Sequence, residues 1–199
     1  LNTYLNAMTY GDKTVYPVAS RNEKDFKNLM DVYLDAVFFP RIYEQKEIFL
    51  QEGWRLEEGP RGLNYNGVVY NEMKGALSDP ERLLMNAVNR ELFPTSIYQY
   101  ESGGDPRDIP HLSYEAFLDF HRAYYHPSNC IMYLYGDMEV GPYLQKLDEE
   151  YLSGFTARPV DSEILPETEL PRAALAEAPY PAAEGDGAFL AYSVLAGPC

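Results

Sequence analysis

Cysteine and histidine are scarce in this 199-residue sequence, which contains two cysteines and three histidines. Cys130 and Cys199 lie far apart, so the sequence has no disulfide framework and no closely spaced cysteine pair of the kind that binds structural zinc. This cysteine usage fits a reducing compartment. The sequence also lacks a GxSxG motif and a phosphate-binding glycine motif, which argues against a serine hydrolase of that type and against a nucleotide-binding loop.

Basic residues are also few, because 16 Lys and Arg stand against 31 Asp and Glu and give a formal net charge of -15. A field of this sign repels phosphate backbones and anionic lipids, so we expect neither nucleic acid nor a membrane as a partner. No apolar run approaches the ~20 residues that a membrane span requires. Most surface carboxylates simply keep a protein soluble, although such a field also concentrates cationic ligands and metal ions.

The composition, with 46% hydrophobic and 24% charged residues, is close to that of an average globular protein. Periodicity and capping residues predict several helices, over 23–39, 42–51, 67–77, 80–92, 114–125 and 140–151. Alternating apolar residues predict a few separated strands, over 13–20, 53–57 and 129–135. This mixture favours an α+β fold, a mostly antiparallel sheet covered by helices on one face, over a doubly wound parallel sheet.

The sequence predicts three segments: the C-terminal part of a first domain over 1–155, an interdomain linker over 156–187 and the first strand of a second domain over 188–199. The linker prediction rests on five prolines and seven acidic residues within 156–186, which show scarcely any periodicity. The sequence begins with Leu1 rather than Met and stops shortly after an apolar run. We therefore expect a piece excised from a longer polypeptide.

The three histidines do not form a metal-binding pair. His121 and His126 are five residues apart, about 140° around a helix axis, so they cannot bind one ion as an i, i+4 pair does. We expect His121 to be a packed, hydrogen-bonded core residue and His126 to lie at a helix C-terminus, where a cation is favoured. His111 has no visible partner in its proline-rich loop.

Glu72 is the carboxylate that the pattern singles out. Helical periodicity over 67–77 puts it on one stripe with four apolar residues: Val68, Val69, Met73 and Ala76. A lone charged carboxylate is costly in an apolar site, so it should be paired, neutralised or bound to a metal. Periodicity alone favours a salt bridge or a capping role and leaves metal ligation as the second interpretation.

The segment Gly67-Val-Val-Tyr-Asn-Glu-Met-Lys-Gly75 resembles the helix that carries the third zinc ligand in the pitrilysin family of metallopeptidases, in its presequence protease branch. Other segments resemble that branch in the same order: Asn6-Ala-Met-Thr9, Asp12-Lys-Thr-Val-Tyr-Pro-Val-Ala-Ser20, Asp31-Val-Tyr-Leu-Asp-Ala-Val-Phe-Phe-Pro40, Gln51-Glu-Gly-Trp54, Gly103-Gly-Asp-Pro106 and His121-Arg-Ala-Tyr-Tyr-His-Pro-Ser-Asn129. Together they cover residues 1–151 approximately.

This resemblance implies a long single-chain enzyme of four related α+β domains, arranged as two halves that enclose a peptide-sized chamber. Zinc lies on the first domain, where an inverted HxxEH motif supplies two histidines and a glutamate base, and a later helix supplies the last ligand. Glu72 matches that last ligand. Asn6 and Ala7 match the edge-strand segment that binds an extended substrate by β-augmentation, although an ordinary edge strand is the alternative interpretation.

The sequence departs from the family in one respect, because none of its three histidines belongs to an HxxEH motif. We therefore expect the motif upstream of Leu1, no catalytic residue in this chain, and no stoichiometric zinc on the chain alone. The parent is expected to be a zinc-dependent endopeptidase that degrades short unfolded peptides by attack of a metal-activated water, in the cytoplasm of a bacterium or an organelle matrix of a eukaryote. Its partners are unfolded peptides and the remaining domains of its own chain. The alternatives are a non-catalytic homologue, serving as a structural or substrate-presenting subunit, and an unrelated acidic binding domain.

Overall fold

The computed structural model describes residues 3–167, 175–183, 185 and 187–196. This part of the chain contains six α-helices: α1 Glu23–Phe38, α2 Lys46–Glu52, α3 Val68–Ala76, α4 Pro80–Leu92, α5 Tyr114–Tyr124 and α6 Val140–Lys146. Its strands are short and pair antiparallel: β1 Tyr4–Leu5 with β4 Val18–Ala19, β2 Met8–Thr9 with β3 Thr14–Val15, and β5 Arg55–Gly59 with β6 Gly62–Asn66. The predicted α+β class is confirmed. None of the helices within these ranges is long and apolar enough to cross a membrane.

The helices begin where capping side chains stand in the sequence. The side chain of Asn22 accepts a hydrogen bond from the Asp25 N–H (3.0 Å) at the start of α1. Asp79 accepts one from the Glu81 N–H (2.9 Å) just before α4, and Ser113 one from the Ala116 N–H (3.1 Å) before α5. Because the first N–H groups of a helix have no partner inside it, these caps fix the helix starts.

The chain divides into two compact units. Of the described residues, the first unit contains 3–6, 17–44 and 113–163, and the second contains 7–16, 45–112 and those from 164 onward. This division runs through the first domain of the prediction, and the predicted domain limits stay a prediction. The described residues of 156–187 form no helix or strand beyond a turn at Gly185. Cys199, with the rest of 197–199, lies outside the described residues.

The core of the first unit lies between α1 and α6. Met30 packs against Tyr143 and Leu147, and the rings of Phe26 and Tyr143 meet edge to face with centroids 5.7 Å apart. Asp31 accepts hydrogen bonds from Lys146 Nζ (3.0 Å) and from the Tyr151 hydroxyl (2.8 Å). Burial, followed by this hydrogen bond, raises the pKa of Tyr151 to about 12.

His121 is a packed and hydrogen-bonded residue of the same unit, as expected from its place on α5. Its Nε2–H donates to the Val37 carbonyl (2.8 Å) and its Nδ1 accepts from the Tyr43 hydroxyl (2.6 Å). The imidazole also stacks on Tyr125, with centroids 4.6 Å apart. Burial lowers the pKa of His121, so the neutral ring is the form that the fold stabilises.

The lowered pKa of His121 predicts a pH dependence of stability. As the pH falls below about 6.5, the unfolded chain takes up the proton before the folded chain does, so the free energy of unfolding decreases. The variant His121→Gln lacks this contribution, and its free energy of unfolding in urea should fall less between pH 7 and pH 5 than that of the unchanged chain. His111→Gln should retain the full decrease, because His121 is still present. Equal decreases in His121→Gln and the unchanged chain would contradict the assignment.

His126 follows the end of α5 as expected, but the expectation that it carries a favoured positive charge is wrong. Its Nδ1 accepts a hydrogen bond from the Ser128 N–H (3.1 Å), which requires the unprotonated nitrogen. Its ring packs edge-on against Phe155, with centroids 5.3 Å apart. Burial, followed by the nearby Arg158, lowers the pKa of His126.

The strand predicted over 129–135 is not formed. Residues Pro127–Asn129 make a short 3₁₀ turn, and the extended stretch that follows pairs with no other strand within the described residues. Ile131, Tyr133 and Tyr135 are largely exposed, at 96%, 82% and 83% of their surface. Likewise, 188–196 form no strand, because nothing described pairs with them. Alternating apolar residues predict a strand only where a neighbour supplies backbone hydrogen bonds.

Candidate functional site

Glu72 lies on α3 in the second unit, and it is exposed rather than buried. Met73 is the buried residue of this helix, whereas Val68 and Val69 beside Glu72 are 51% and 39% exposed. Within the predicted apolar stripe, Met73 is therefore buried, whereas Val68 and Val69 are exposed to solvent. The prediction of a buried carboxylate is wrong: Met73, about 100° further around the helix, is the buried residue, and Glu72 faces solvent.

Glu72 also forms no ion pair or hydrogen bond within the described residues, so the salt-bridge and capping interpretations find no partner there. Its negative charge contributes, as a small effect, to the raised pKa of Arg82 on α4. An exposed carboxylate keeps its hydration and needs no partner within the protein. Glu72 is thus available to a positively charged ligand.

The start of α3 is fixed by close backbone contact with the residues that precede β5. A Cβ at Gly67 would overlap the Gly53 carbonyl and would lie 2.8 Å from Trp54 Cα, so only glycine fits there. The Trp54 indole N–H donates to the Leu112 carbonyl (2.9 Å). These contacts hold the helix that carries Glu72 against a fixed neighbour.

Polar side chains reinforce the same junction between β6 and α3. The Asn66 side-chain oxygen accepts hydrogen bonds from the Gly67 N–H (2.9 Å) and from Asn71 Nδ2 (2.7 Å). Its Nδ2 donates to Glu57 across the β5–β6 hairpin. The hydrogen bond from Asn66, together with Arg55, lowers the pKa of Glu57. Asn71, the residue before Glu72, is therefore held in place.

The opposite side of α3 meets the loop that follows α4. Met73 packs so closely on Gly103 that a side chain at that position would overlap its sulfur. Two residues earlier, Glu101 accepts hydrogen bonds from Arg82 (2.7 and 3.1 Å) and from Asn86 (2.9 Å). The bonds from Arg82 lower the pKa of Glu101, and the same bonds raise that of Arg82.

Sequence reasoning did not identify this Arg82–Asn86–Glu101 group. The i, i+4 spacing of Arg82 and Asn86 places both on one face of α4, which is a signal that could have pointed to a shared partner. Nothing in the sequence indicated that the partner is Glu101, because a loop of irregular structure separates them.

The described residues do not by themselves supply a zinc site. No three His, Cys, Asp or Glu side chains among them are grouped as metal ligands. A zinc site needs at least three protein ligands, and Glu72 provides a single carboxylate. The side-chain nitrogens of His121 are both engaged by neighbours, as described above.

Asn6 and Ala7 lie between β1 and β2. The Asn6 N–H donates to the Pro17 carbonyl (3.1 Å), which continues the pairing of β1 with β4. In the described part of the chain, β1 pairs with β4 alone and β2 with β3 alone, so each of the two strands is paired along one edge. Tyr4 and Leu5 are about half exposed. The structure therefore places Asn6 just after the β1 strand of the β1–β4 pair, in the first unit, and Ala7 just before the β2 strand of the β2–β3 pair, in the second.

Comparison with known proteins places the chain among peptidases. A family model described as "Peptidase M16 inactive domain" matches residues 111–188. The chain is 57% identical over 166 residues to "Protein HypA" of Clostridium perfringens, and 51% identical over 161 residues to "Presequence protease 1, chloroplastic/mitochondrial" of Arabidopsis thaliana. It is 48% identical over 160 residues to "Presequence protease, mitochondrial" of Mus musculus.

These matches cover 82%, 80% and 78% of this chain but 17%, 15% and 15% of the three relatives, so the chain spans about one sixth of their length. The resemblance read from the motifs is confirmed: the chain belongs to the M16, or pitrilysin, family of peptidases, in its presequence protease branch.

Proposed function

We propose that this chain is a segment of a zinc-dependent endopeptidase that degrades short, unfolded peptides. The observation that carries the proposal is the identity of 48–57% to two presequence proteases and HypA over about four fifths of the chain. The parent would work in an organelle matrix if it is eukaryotic, in line with the names of the Arabidopsis and mouse relatives, and in the cytoplasm if it is bacterial.

In this proposal Glu72 is one ligand of the zinc ion, and the other ligands come from outside the described residues. Three features support the role: Glu72 is exposed, it has no partner in the described part of the chain, and its helix is fixed at Gly67. A ligand must be ionised and accessible, yet held in direction by its surroundings. The contribution of this chain to the metal centre is that single, well-positioned carboxylate.

Asn6 and Ala7 are proposed to bind the substrate backbone. A peptide that adds a strand to a two-stranded ribbon gains main-chain hydrogen bonds, which do not depend on its side chains. Such binding suits an enzyme that handles many unrelated unfolded peptides. It also requires a strand with one unpaired edge, which both β1 and β2 have within the described structure.

The remaining part of the parent polypeptide is proposed to cover the apolar residues beside Glu72. The β5–β6 hairpin and the start of α3 expose five large apolar side chains: Leu56, Leu63, Tyr65, Val68 and Val69. A contiguous exposed apolar surface is typical of an interface. Because the chain spans only about one sixth of its relatives' length, the proposed partner is a further domain of the same polypeptide.

The test is made on the full-length protein that contains this sequence. It should carry about one zinc per polypeptide by elemental analysis and cleave unstructured peptides of roughly 20 residues, since the proposed site is a single catalytic centre. A chelator should abolish cleavage, and added zinc should restore it. A zinc-free protein that cleaves peptides equally well would contradict the proposal.

A non-catalytic homologue, serving as a structural or substrate-presenting subunit, is the second candidate, since the family model described as an inactive domain matches residues 111–188 and leaves out Glu72. Such a protein would bind unfolded peptides without cleaving them and without bound zinc. The same two measurements, zinc content and peptide cleavage, separate the two candidates.

A further inference from the structure

A pocket of about 220 Å³ lies in the second unit, between α4 and the turn that joins β2 to β3. Its lining includes Gly11, Asn86, Asn89, Phe93, Tyr98 and Tyr100. Sites for whole small-molecule ligands enclose ~300 Å³ or more, so a pocket of this size suits one side chain. We call it the α4 pocket.

Aromatic rings form one wall of the α4 pocket, and the surrounding contacts hold them in place. The rings of Phe93 and Tyr98 lie with centroids 5.7 Å apart. The Tyr98 ring rests on Gly11, where a Cβ would lie 3.2 Å from it, and the Tyr98 hydroxyl donates to Asp12 (3.2 Å). The wall is therefore formed before any ligand arrives.

Hydrogen bonds also hold the turn that carries Tyr98 in place. Glu167 accepts hydrogen bonds from the Thr95 N–H (2.9 Å) and the Ser96 N–H (3.2 Å). Gln99 Nε2 donates to the carbonyls of Pro94 (3.0 Å) and Ser96 (3.1 Å). Binding at a preformed site avoids the entropic cost of ordering it.

The polar side of the α4 pocket carries no unbalanced charge. The Glu101 carboxylate, which also lines it, is already engaged by Arg82 and Asn86. Asn89 is half-buried, and its side-chain amide has no hydrogen-bond partner within the described residues. A lysine or arginine side chain would lose its hydration without gaining a free carboxylate, whereas an uncharged aromatic ring would stack on the wall.

The pocket also lies within reach of the proposed peptide-binding strand. β2 begins one residue after Ala7, and Gly11 follows Ala7 by four residues. At ~3.3 Å per residue, a peptide paired along β2 from Ala7 reaches Tyr10, beside the turn that contains Gly11, after about 10 Å. One of its side chains can then enter the α4 pocket.

We propose that the α4 pocket binds one aromatic side chain of the peptide substrate, and that Asn89 selects tyrosine through a hydrogen bond to its hydroxyl. This inference rests on the proposed function for the identity of its ligand, an extended peptide, but it does not depend on catalysis. An aromatic pair contributes about 0.5–1.5 kcal/mol, which corresponds to an affinity difference of roughly two- to tenfold.

The test measures peptide affinity by fluorescence anisotropy on the full-length protein in the presence of a chelator, so that cleavage does not interfere. The probes are peptides of one sequence, in which Tyr, Phe, Leu or Lys replaces each residue in turn. At one position, Tyr should bind about three- to tenfold more tightly than Leu, and Lys no better than Leu.

Two variants of Asn89 test separately the preference for aromatic residues and the preference for Tyr over Phe. Asn89→Phe fills the pocket and should abolish the preference for aromatic residues, so that the Tyr, Phe and Leu peptides bind within about twofold of one another. Asn89→Ala removes the amide alone and should reduce the advantage of Tyr over Phe. Glu91→Gln, an exposed change on the same helix, should alter neither preference.

If peptides bind with no aromatic preference, or if the preference survives Asn89→Phe, the proposed role of the α4 pocket is wrong and the proposed function still stands. Failure to bind any peptide overturns both. Aromatic preference in a protein that lacks zinc and cleavage supports the pocket and contradicts the peptidase activity.

Discussion

Glu72→Gln in the full-length protein should reduce bound zinc well below one equivalent and lower kcat/KM for peptide cleavage by about 100-fold or more, because changes even in residues that only support metal ligands cost 10- to 100-fold. The amide keeps the size of the side chain but removes its negative charge. Zinc binds a neutral amide oxygen far more weakly than a carboxylate. Zinc content by elemental analysis and cleavage by chromatography measure the two effects on one sample.

The matched control is Glu91→Gln, since Glu91 is another exposed helical glutamate, at the end of α4. Both variants should retain the circular dichroism spectrum of the unchanged protein, because Glu72 has no partner to lose within the described residues. Unchanged zinc content in Glu72→Gln would show that the ligand assignment is wrong. A reduced zinc content in Glu91→Gln would show that the effect is not specific to Glu72.

Gly67→Ala should destabilise the chain by about 1–3 kcal/mol, which is the usual effect of forcing extra atoms into a packed site. The added methyl group would overlap the Gly53 carbonyl, a backbone group that cannot rotate away. The start of α3 would have to move from its place beside Trp54. Urea denaturation of the chain measures the loss, and the displaced Glu72 should also lower the zinc content of the full-length protein.

Gly75→Ala provides the control on the same helix. A Cβ at Gly75 meets nothing within 4 Å, and alanine favours a helix over glycine by up to about 1 kcal/mol. This variant should therefore be as stable as the unchanged chain or more so. If Gly67→Ala were equally harmless, the close contact that fixes α3 would not exist in solution.

The helices could be predicted from the sequence because their signals are local. Asn22, Asp79 and Ser113 cap α1, α4 and α5 where the pattern indicates, and the apolar spacing gives their lengths to within a few residues. The strand predicted over 13–20 is divided around Pro17 into β3 and β4, because proline has no N–H to donate to a neighbouring strand. Local steric and hydrogen-bonding rules are sufficient for such features.

Features that depend on distant residues could not be predicted in the same way. The stretch 129–135 alternates like a strand, yet no partner strand exists within the described residues. Periodicity placed Glu72 on an apolar stripe, but it could not reveal that Met73 is buried while Glu72 is exposed. The α4 pocket depends on contacts such as that of Gly11 with Tyr98, which lie 87 residues apart.

The most direct test of the central claim is anomalous diffraction at the zinc edge from crystals of the full-length protein. We expect one strong peak at ~2.0–2.2 Å from a carboxylate oxygen of Glu72, with the other ligands supplied by residues outside this chain. A zinc peak remote from Glu72, in a protein that cleaves peptides, would contradict the account.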